Sequence, residues 1–183
     1  MDERELTYVR DDIAKRLSKN HIVPVTRQTS LRNASAFVAS PLGAVPKSNG
    51  KLRTIHHLSF PRHSTRGDTS VNAGIAPEHV TMRYEGLQRV FHDVRVAIAS
   101  GRPTQLWKTD LEDAFRHCIV GLLDVPLLGF AIDGRRYTDC ALTFGCRSSP
   151  FLFNLYAEAL HWTLESFGIS CSHYLDDFFG THR

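Results

Sequence analysis

The chain has 183 residues, 42% of them hydrophobic and 22% charged, with a formal net charge of +3 at pH 7. These are globular proportions, enough for one good core with a smaller lobe beside it, and they exclude a disordered chain. No uninterrupted apolar run approaches a membrane span and the charged start MDERELTYVRDD is no signal peptide, so the sequence reads as intracellular, either cytoplasmic or nuclear.

Leu6, Val9, Ile13 and Leu17 recur at helical spacing among charged residues, which predicts an amphipathic helix over the first twenty residues, ending before Pro24. Residues 22–37 show no period and are expected to form a connecting loop. From Ile13 to Gly67 there is no acidic residue, while Lys15, Arg16, Lys19, Arg27, Arg32, Lys47, Lys51, Arg53, Arg62 and Arg66 supply ten positive charges; the other 128 residues are net acidic. A block of one sign suits a polyanion-binding surface, although a solvated face without a partner is its commoner meaning.

Two short extended segments flank Asn49-Gly50, a strong hairpin signal, with Lys47, Lys51 and Arg53 at or beside the turn. Arg can hold phosphate oxygens bidentately and Lys adds a mobile point charge, so such a tip can clamp a triphosphate or a nucleic-acid backbone. Alone, it is more often a plain exposed turn. Phe60 to Pro77 reads as loop, and Leu87, Phe91, Val94 and Ile98 mark a second amphipathic helix ending near Gly101 and Pro103.

Gln105 to Asp110 reads as a buried strand that delivers Asp110 to an edge of the core, followed by a tight turn carrying Asp113 and Phe115. Val125 to Thr143 reads as a hairpin turning at Asp133-Gly134. Ser148, Ser149 and Pro150 make a helix start, a hydroxyl N-cap with proline at the first helical position, where its missing N–H does no harm. Leu152, Tyr156, Leu160 and Leu164 would be its apolar stripe, with Asn154, Glu158, His161 and Glu165 on the other side.

Ile169 to Leu175 then reads as a strand entering SHYLDDFFG, a half-buried hairpin with Asp176 and Asp177 at its tip. Taken alone, the pair carries little information and fits a polar turn. Adjacent carboxylates also suit a hard divalent cation such as magnesium, whose remaining ligands are water and phosphate oxygens. Asp110 and Asp176, each at a strand end, suit a two-cation site for in-line phosphoryl transfer. The four cysteines, Cys118, Cys140, Cys146 and Cys171, lack zinc or disulfide spacing; His117-Cys118 and Cys171 with His173 could serve as ligands, but reduced thiols are the simpler account.

These residues resemble reverse transcriptases. TDLEDAFRHCIV looks like the first palm motif of that family, LTFGCRSSPFLFN like the second and YLDD like the third, while VPKSNGKLRTIHHLS resembles its basic fingers hairpin. The run SPLGAVPKSNGKLRTIHHLSFPR with SVNAGI looks most like the tyrosine-recombinase-encoding, DIRS-type retroelements; His56-His57 stands where many retroviral-type enzymes carry an acid. The resemblance covers roughly Ser40 to the end.

The resemblance implies an α+β fold, an antiparallel palm sheet packed by helices with a partial basic fingers lobe. It divides the chain into an N-terminal helix and loop (1–39), a fingers segment (40–102) and an incomplete palm (103–183). It implies that Asp110, Asp176 and Asp177 are catalytic and hold two Mg2+ ions, with Mn2+ as an alternative and the Leu111 carbonyl as an extra ligand. Lys47, Lys51 and Arg53 would contact the triphosphate, and Asp113, Phe115, Gly145, Ser149 and Pro150 would line the nucleotide. Phe115 matches the aromatic gate that excludes a 2'-hydroxyl, and Gly145 would let backbone approach the nucleotide. The partners implied are an RNA or DNA template-primer and deoxynucleoside triphosphates. The chain stops soon after YLDD, so the family's thumb and ribonuclease H segments would belong to a longer parent polyprotein. Two other readings compete: a non-catalytic nucleic-acid-binding remnant, and a viral RNA-dependent RNA polymerase, against which Phe115 argues.

Overall fold

The computed structural model describes residues 1–26, 37–62, 69–84, 87–101 and 105–182. In chain order its elements are helix α1 (Glu3–Ser18), strands β1 (Ile22–Pro24), β2 (Leu42–Pro46) and β3 (Leu52–His56), and helix α2 (Gln88–Ala99). Strands β4 (Gln105–Asp110), β5 (Gly129–Ile132) and β6 (Arg135–Asp139), helix α3 (Ser149–Ser166), and strands β7 (Cys171–Tyr174) and β8 (Asp177–His182) follow. They form two compact units, one of Met1–His79 with Phe115–Ser149, the other of Val80–Ala114 with Pro150–Arg183. Arg27, Arg32, Arg66 and Pro103 lie outside the described residues.

The first unit is built around α1. Asp2 and Glu5 close a capping box, each side chain accepting from the other's backbone N–H at 2.7 and 2.9 Å. The predicted face turns inward: Val9 and Ile13 join Ile22, Phe130 and Tyr137 in one buried cluster, with Leu17 packed against it. Each such side chain stabilises the fold by about 1.5–3 kcal/mol. Residues 22–24, expected as loop, are instead strand β1, paired antiparallel with β6 in a β1-β6-β5 sheet. Three residues are too few to show a period, and Pro24 is tolerated because the strand lies at an edge.

Both expected hairpins of this unit form. Strands β5 and β6 turn through Asp133 (φ 49°) and Gly134 (φ 70°), a two-residue turn with both residues left-handed. Strands β2 and β3 pair from Leu42↔His56 to Pro46↔Leu52. Their loop is the longer type closed by Gly50 (φ 75°): Gly50 N–H donates to Lys47 O at 2.9 Å and Lys47 N–H to Lys51 O at 2.7 Å. The loop expected from Phe60 to Pro77 contains a short 3-10 turn, Val71–Gly74, and another begins at Pro77.

The second unit is a β4-β8-β7 antiparallel sheet on which α2 packs through β7 and β8. Both helices of this unit form where predicted, but each is rotated. On α2, Ala97 is buried and Val90, Asp93 and Val94 are half-buried, whereas Leu87, Phe91 and Ile98 are exposed. Apolar residues surround most of that helix, so spacing alone could not choose a side. The smaller face turns inward, and Asp93 there accepts from the Ser170 hydroxyl at 3.1 Å. On α3, Phe153, Asn154, Ala157 and His161 are buried while Leu152 and Tyr156 are exposed. Of the polar residues expected outside, Glu158 is exposed and Glu165 half-buried, while Asn154 and His161 are buried because they find partners in Glu158 and His173.

Strand β4 forms and ends at Asp110 as predicted, but it is not buried. It is an edge strand, and only Trp107 is even half-covered, its ring lying against Gly180. Leu106 and Trp107 point to opposite faces, so the apolar pair could not both reach a core. Among the described residues no helix is long and apolar enough to cross a membrane, and all four cysteines are free thiols.

Candidate active site

Three acids meet at one end of the second unit's sheet. Strand β4 pairs antiparallel with β8 in a register that sets Asp110, the last residue of one, opposite Asp177, the first of the other. Residues directly opposite project from the same face, with Cβ atoms about 4.5–5.5 Å apart. Asp177 also pairs with Tyr174 on β7, so Leu175 and Asp176 form the two-residue turn, with Leu175 left-handed at φ 53°. The Leu111 N–H donates to the Asp176 carbonyl at 3.1 Å, which ties the chain leaving β4 to that turn. Asp110, Leu111, Asp176 and Asp177 are thus brought together by backbone hydrogen bonding alone.

Asp110 is exposed, and Asp176 and Asp177 are half-buried. Two carboxylates facing one another repel. Part of that charge is met by Lys108, two residues before Asp110 on the same face, whose Nζ is 3.0 Å from an Asp177 oxygen. Among the described residues no three His, Cys, Asp or Glu side chains form a ready-made metal cage. The donors fit the habit of magnesium, which binds through one or two carboxylates and fills its octahedron with water and phosphate oxygens.

The other sequence-predicted residues lie elsewhere, nearly all in the first unit. Lys47, Lys51 and Arg53 are exposed on the β2–β3 hairpin. The Arg53 guanidinium lies over the Phe144 ring, 4.6 Å from its centre, and Phe144 in turn packs against Phe115 at 4.7 Å. Phe115 is buried in the short Ala114–His117 turn, which Asp113 enters with a left-handed φ of 55°.

Gly145 has φ 109°, and a Cβ there would stand 1.9 Å from the His56 carbonyl oxygen. The close approach that requires glycine is therefore to His56. Gly145→Ala is expected to lower stability by about 3 kcal/mol, combining backbone strain with a clash that backbone must absorb, as read from urea unfolding. Ser149 opens α3 but is buried, its hydroxyl without a hydrogen-bond partner among the described residues, so it is not the capping group. Ser148 faces Cys146 Sγ at 3.2 Å instead. Pro150, expected at the first helical position, is the second, because Ser149 already belongs to the helix; its missing N–H still costs nothing there.

Two features of the first unit escaped the sequence. Asn72, buried in a short turn, donates from Nδ2 to the Gly145 carbonyl at 2.7 Å and to Ser59 Oγ at 2.8 Å, and accepts from the Arg147 N–H at 2.8 Å. Nothing local marks it as a hub. Asp139, wholly buried at the end of β6, accepts from Arg16 of α1 and from Arg116 at 2.5 Å, with His56 Nδ1 3.5 Å from its other oxygen. Burial alone would push this carboxyl up; His56, Arg116 and Arg16 outweigh it and bring it to about 2. The His56 contact is long for a hydrogen bond, so the nearer arginines dominate. Burial also pushes the Cys118 and Cys140 thiols up, which keeps them protonated and inert.

Comparison with known proteins gives three results. A family described as reverse transcriptase (RNA-dependent DNA polymerase) matches residues 45–183. The native crystal structure of prototype foamy virus protease-reverse transcriptase is similar over 93% of this chain and 19% of its own, with TM-score 0.60 and 18% identity. The foamy viral protease-reverse transcriptase dRH in complex with double-stranded DNA is similar over 98% of this chain and 26% of its own, with TM-score 0.63 and 19% identity. At such identity the likeness is one of fold, and the chain spans about a fifth to a quarter of those proteins. No curated protein sequence matches significantly.

Proposed function

The chain belongs to the reverse transcriptase (RNA-dependent DNA polymerase) family, and from that premise we propose that it carries the fingers and most of the palm of such an enzyme, acting on a template-primer inside the cell. The observation that carries this reading is the register that puts Asp110 opposite Asp177 and ties Leu111 to Asp176. The three carboxylates and the Leu111 carbonyl would hold two Mg2+ ions, or Mn2+ in their place. When bound, such ions activate a primer 3'-hydroxyl and stabilise the pyrophosphate that leaves.

The chain's own residues do the rest. Lys47, Lys51 and Arg53 would bind the triphosphate, Arg53 being kept extended by the Phe144 ring under its guanidinium. Phe115, fixed against Phe144, would meet a ribose 2'-hydroxyl and so select deoxynucleotides. Asp113, Gly145, Ser149 and Pro150 would shape the backbone around the nucleotide. Sequence choice would come from base pairing, with protein contacts directed to phosphate and duplex shape. The motif run from Ser40 to Arg62 supports placing the parent among DIRS-type elements, in which case a tyrosine recombinase should be encoded in the same element.

Lys108 favours a second reading. Its ammonium already balances Asp177, which allows a remnant that binds nucleic acid through its basic segment without synthesis. Primer extension decides between them, run with Mg2+ on an RNA template by this chain and by a version lengthened through the thumb segment. We expect deoxynucleotide incorporation by the lengthened protein, exceeding ribonucleotide incorporation by at least about a hundredfold, as a steric clash with one hydroxyl allows. Binding of template without extension by either protein would establish the remnant instead. Equal use of both sugars would point to an RNA polymerase.

A further inference from the structure

Behind the paired-aspartate hairpin, two buried histidine rings are hydrogen-bonded to each other. His173 on β7 and His161 on α3 are 3% and 6% exposed, and their Nδ1 atoms are 3.1 Å apart. A hydrogen bond between two ring nitrogens needs one N–H and one lone pair, so a single proton lies between them.

The pair stands in a line of contacts that spans the unit. His173 stacks on Phe178, its partner across the β7–β8 ladder, at 5.2 Å and 19° between ring planes. Phe178 follows Asp177 directly. On the helical side, His161 Nε2 is 3.5 Å from Glu165 Oε1, and Arg89 of α2 holds that carboxylate at 2.6 Å. Two further charged groups have contacts on the helices of this unit: Asp93 of α2 accepts from Ser170, just before β7, and Glu158 of α3 accepts from Asn154. Arg89, Glu165, His161, His173 and Phe178 therefore connect α2 and α3 to the strand on which Asp177 sits. Apolar rings would fill the same space without the cost of burying imidazole nitrogens. What the imidazoles add is direction: a single bond fixes one helix against one strand.

We infer that His161 is a positioning residue for Asp176 and Asp177, holding their hairpin through its hydrogen bond to His173. The inference rests on the proposed cation site and adds to it a dependence on a side chain of α3.

The test uses the whole chain and two readouts. Mn2+ affinity is measured at about pH 7.5 by the electron paramagnetic signal of the free ion, and amide hydrogen exchange is followed at the same pH over residues 171–178. His161→Leu, which cannot bond to His173, should lower the affinity at least about threefold and quicken exchange of the hairpin amides about tenfold, as loss of one fixing bond allows. The double variant His161→Gln with His173→Gln, whose amides can bond to each other, should bring both back toward the wild-type values. It also serves if His161→Leu fails to fold. A double variant as loose as His161→Leu, or His161→Leu with unchanged hairpin exchange, would overturn the inference. If Asp110→Asn binds Mn2+ as the wild type does, the cation reading is what fails, and hairpin exchange alone then decides the role of His161.

Discussion

Replacing Asp110 by Asn is expected to reduce metal-dependent primer extension by roughly a thousandfold or more, about 4 kcal/mol of transition-state stabilisation, without harming the fold. The substitution keeps the shape of the side chain and removes its charge. Asp110 is exposed, and the ladder that positions it is made of backbone bonds. Because Asp110 faces Asp177, removing one of two like charges should leave the thermal midpoint unchanged or slightly raised. That combination, lost activity with preserved or improved stability, separates a residue that acts on charge at the reacting phosphate from one that merely supports the sheet. Asp176→Asn should behave in the same way. Asp177→Asn should cost less, since Lys108 already offsets part of that charge. Activity within tenfold of the starting protein in both Asp110→Asn and Asp176→Asn, measured in the lengthened protein, would rule out the assignment.

What could be read beforehand follows from which interactions are local. The turns at Asn49-Gly50 and Asp133-Gly134 were legible because left-handed backbone at Gly50, Asp133 and Gly134 is a property of those residues themselves. The side of α2 or α3 that turns inward is not legible in this way, because Phe91 and Ile98 are as apolar as Val94 and Ala97. Only the sheet and the Asp93–Ser170 bond distinguish them. The candidate site divides in the same way. The acids of SHYLDDFFG and TDLEDAF could be singled out, and the resemblance to a polymerase palm joined them, yet the register that sets Asp110 against Asp177 exists only once β4 and β8 pair. His161 was expected on the polar side of α3 for want of any sequence sign that His173 would meet it. Asp139 was hidden most completely, since its partners Arg16, His56 and Arg116 come from three distant stretches.

Asp139 is where the largest loss of stability is expected. Asp139→Asn would leave Arg16 and Arg116 buried around a neutral amide, and breaking a buried ion pair from one side costs about 3–5 kcal/mol. Arg16 keeps a weaker partner in Asp12, at 3.6 Å. For Arg116, burial already pushes the guanidinium down from its ordinary value, with the Asp139 charge opposing that fall. The same cluster sets an acid limit on the fold. The carboxyl titrates at about 2 in the folded chain and at about 3.9 when unfolded. A group depressed on folding stabilises the fold above its unfolded value and loses that contribution as the pH falls toward the folded one. About 2–3 kcal/mol should therefore disappear between roughly pH 4 and pH 2 in the wild type, and this limb should be missing in Asp139→Asn. Urea unfolding at pH 7 and along that acid range measures both. Replacing all three charges together, Asp139→Leu with Arg16→Met and Arg116→Leu, should be less destabilising than Asp139→Asn alone, because no charge is then left buried without its counterpart. A triple variant weaker than the single one would mean that the cluster stabilises through its hydrogen-bond geometry beyond charge balance, and that α1 depends on Arg16 for its seat against β6.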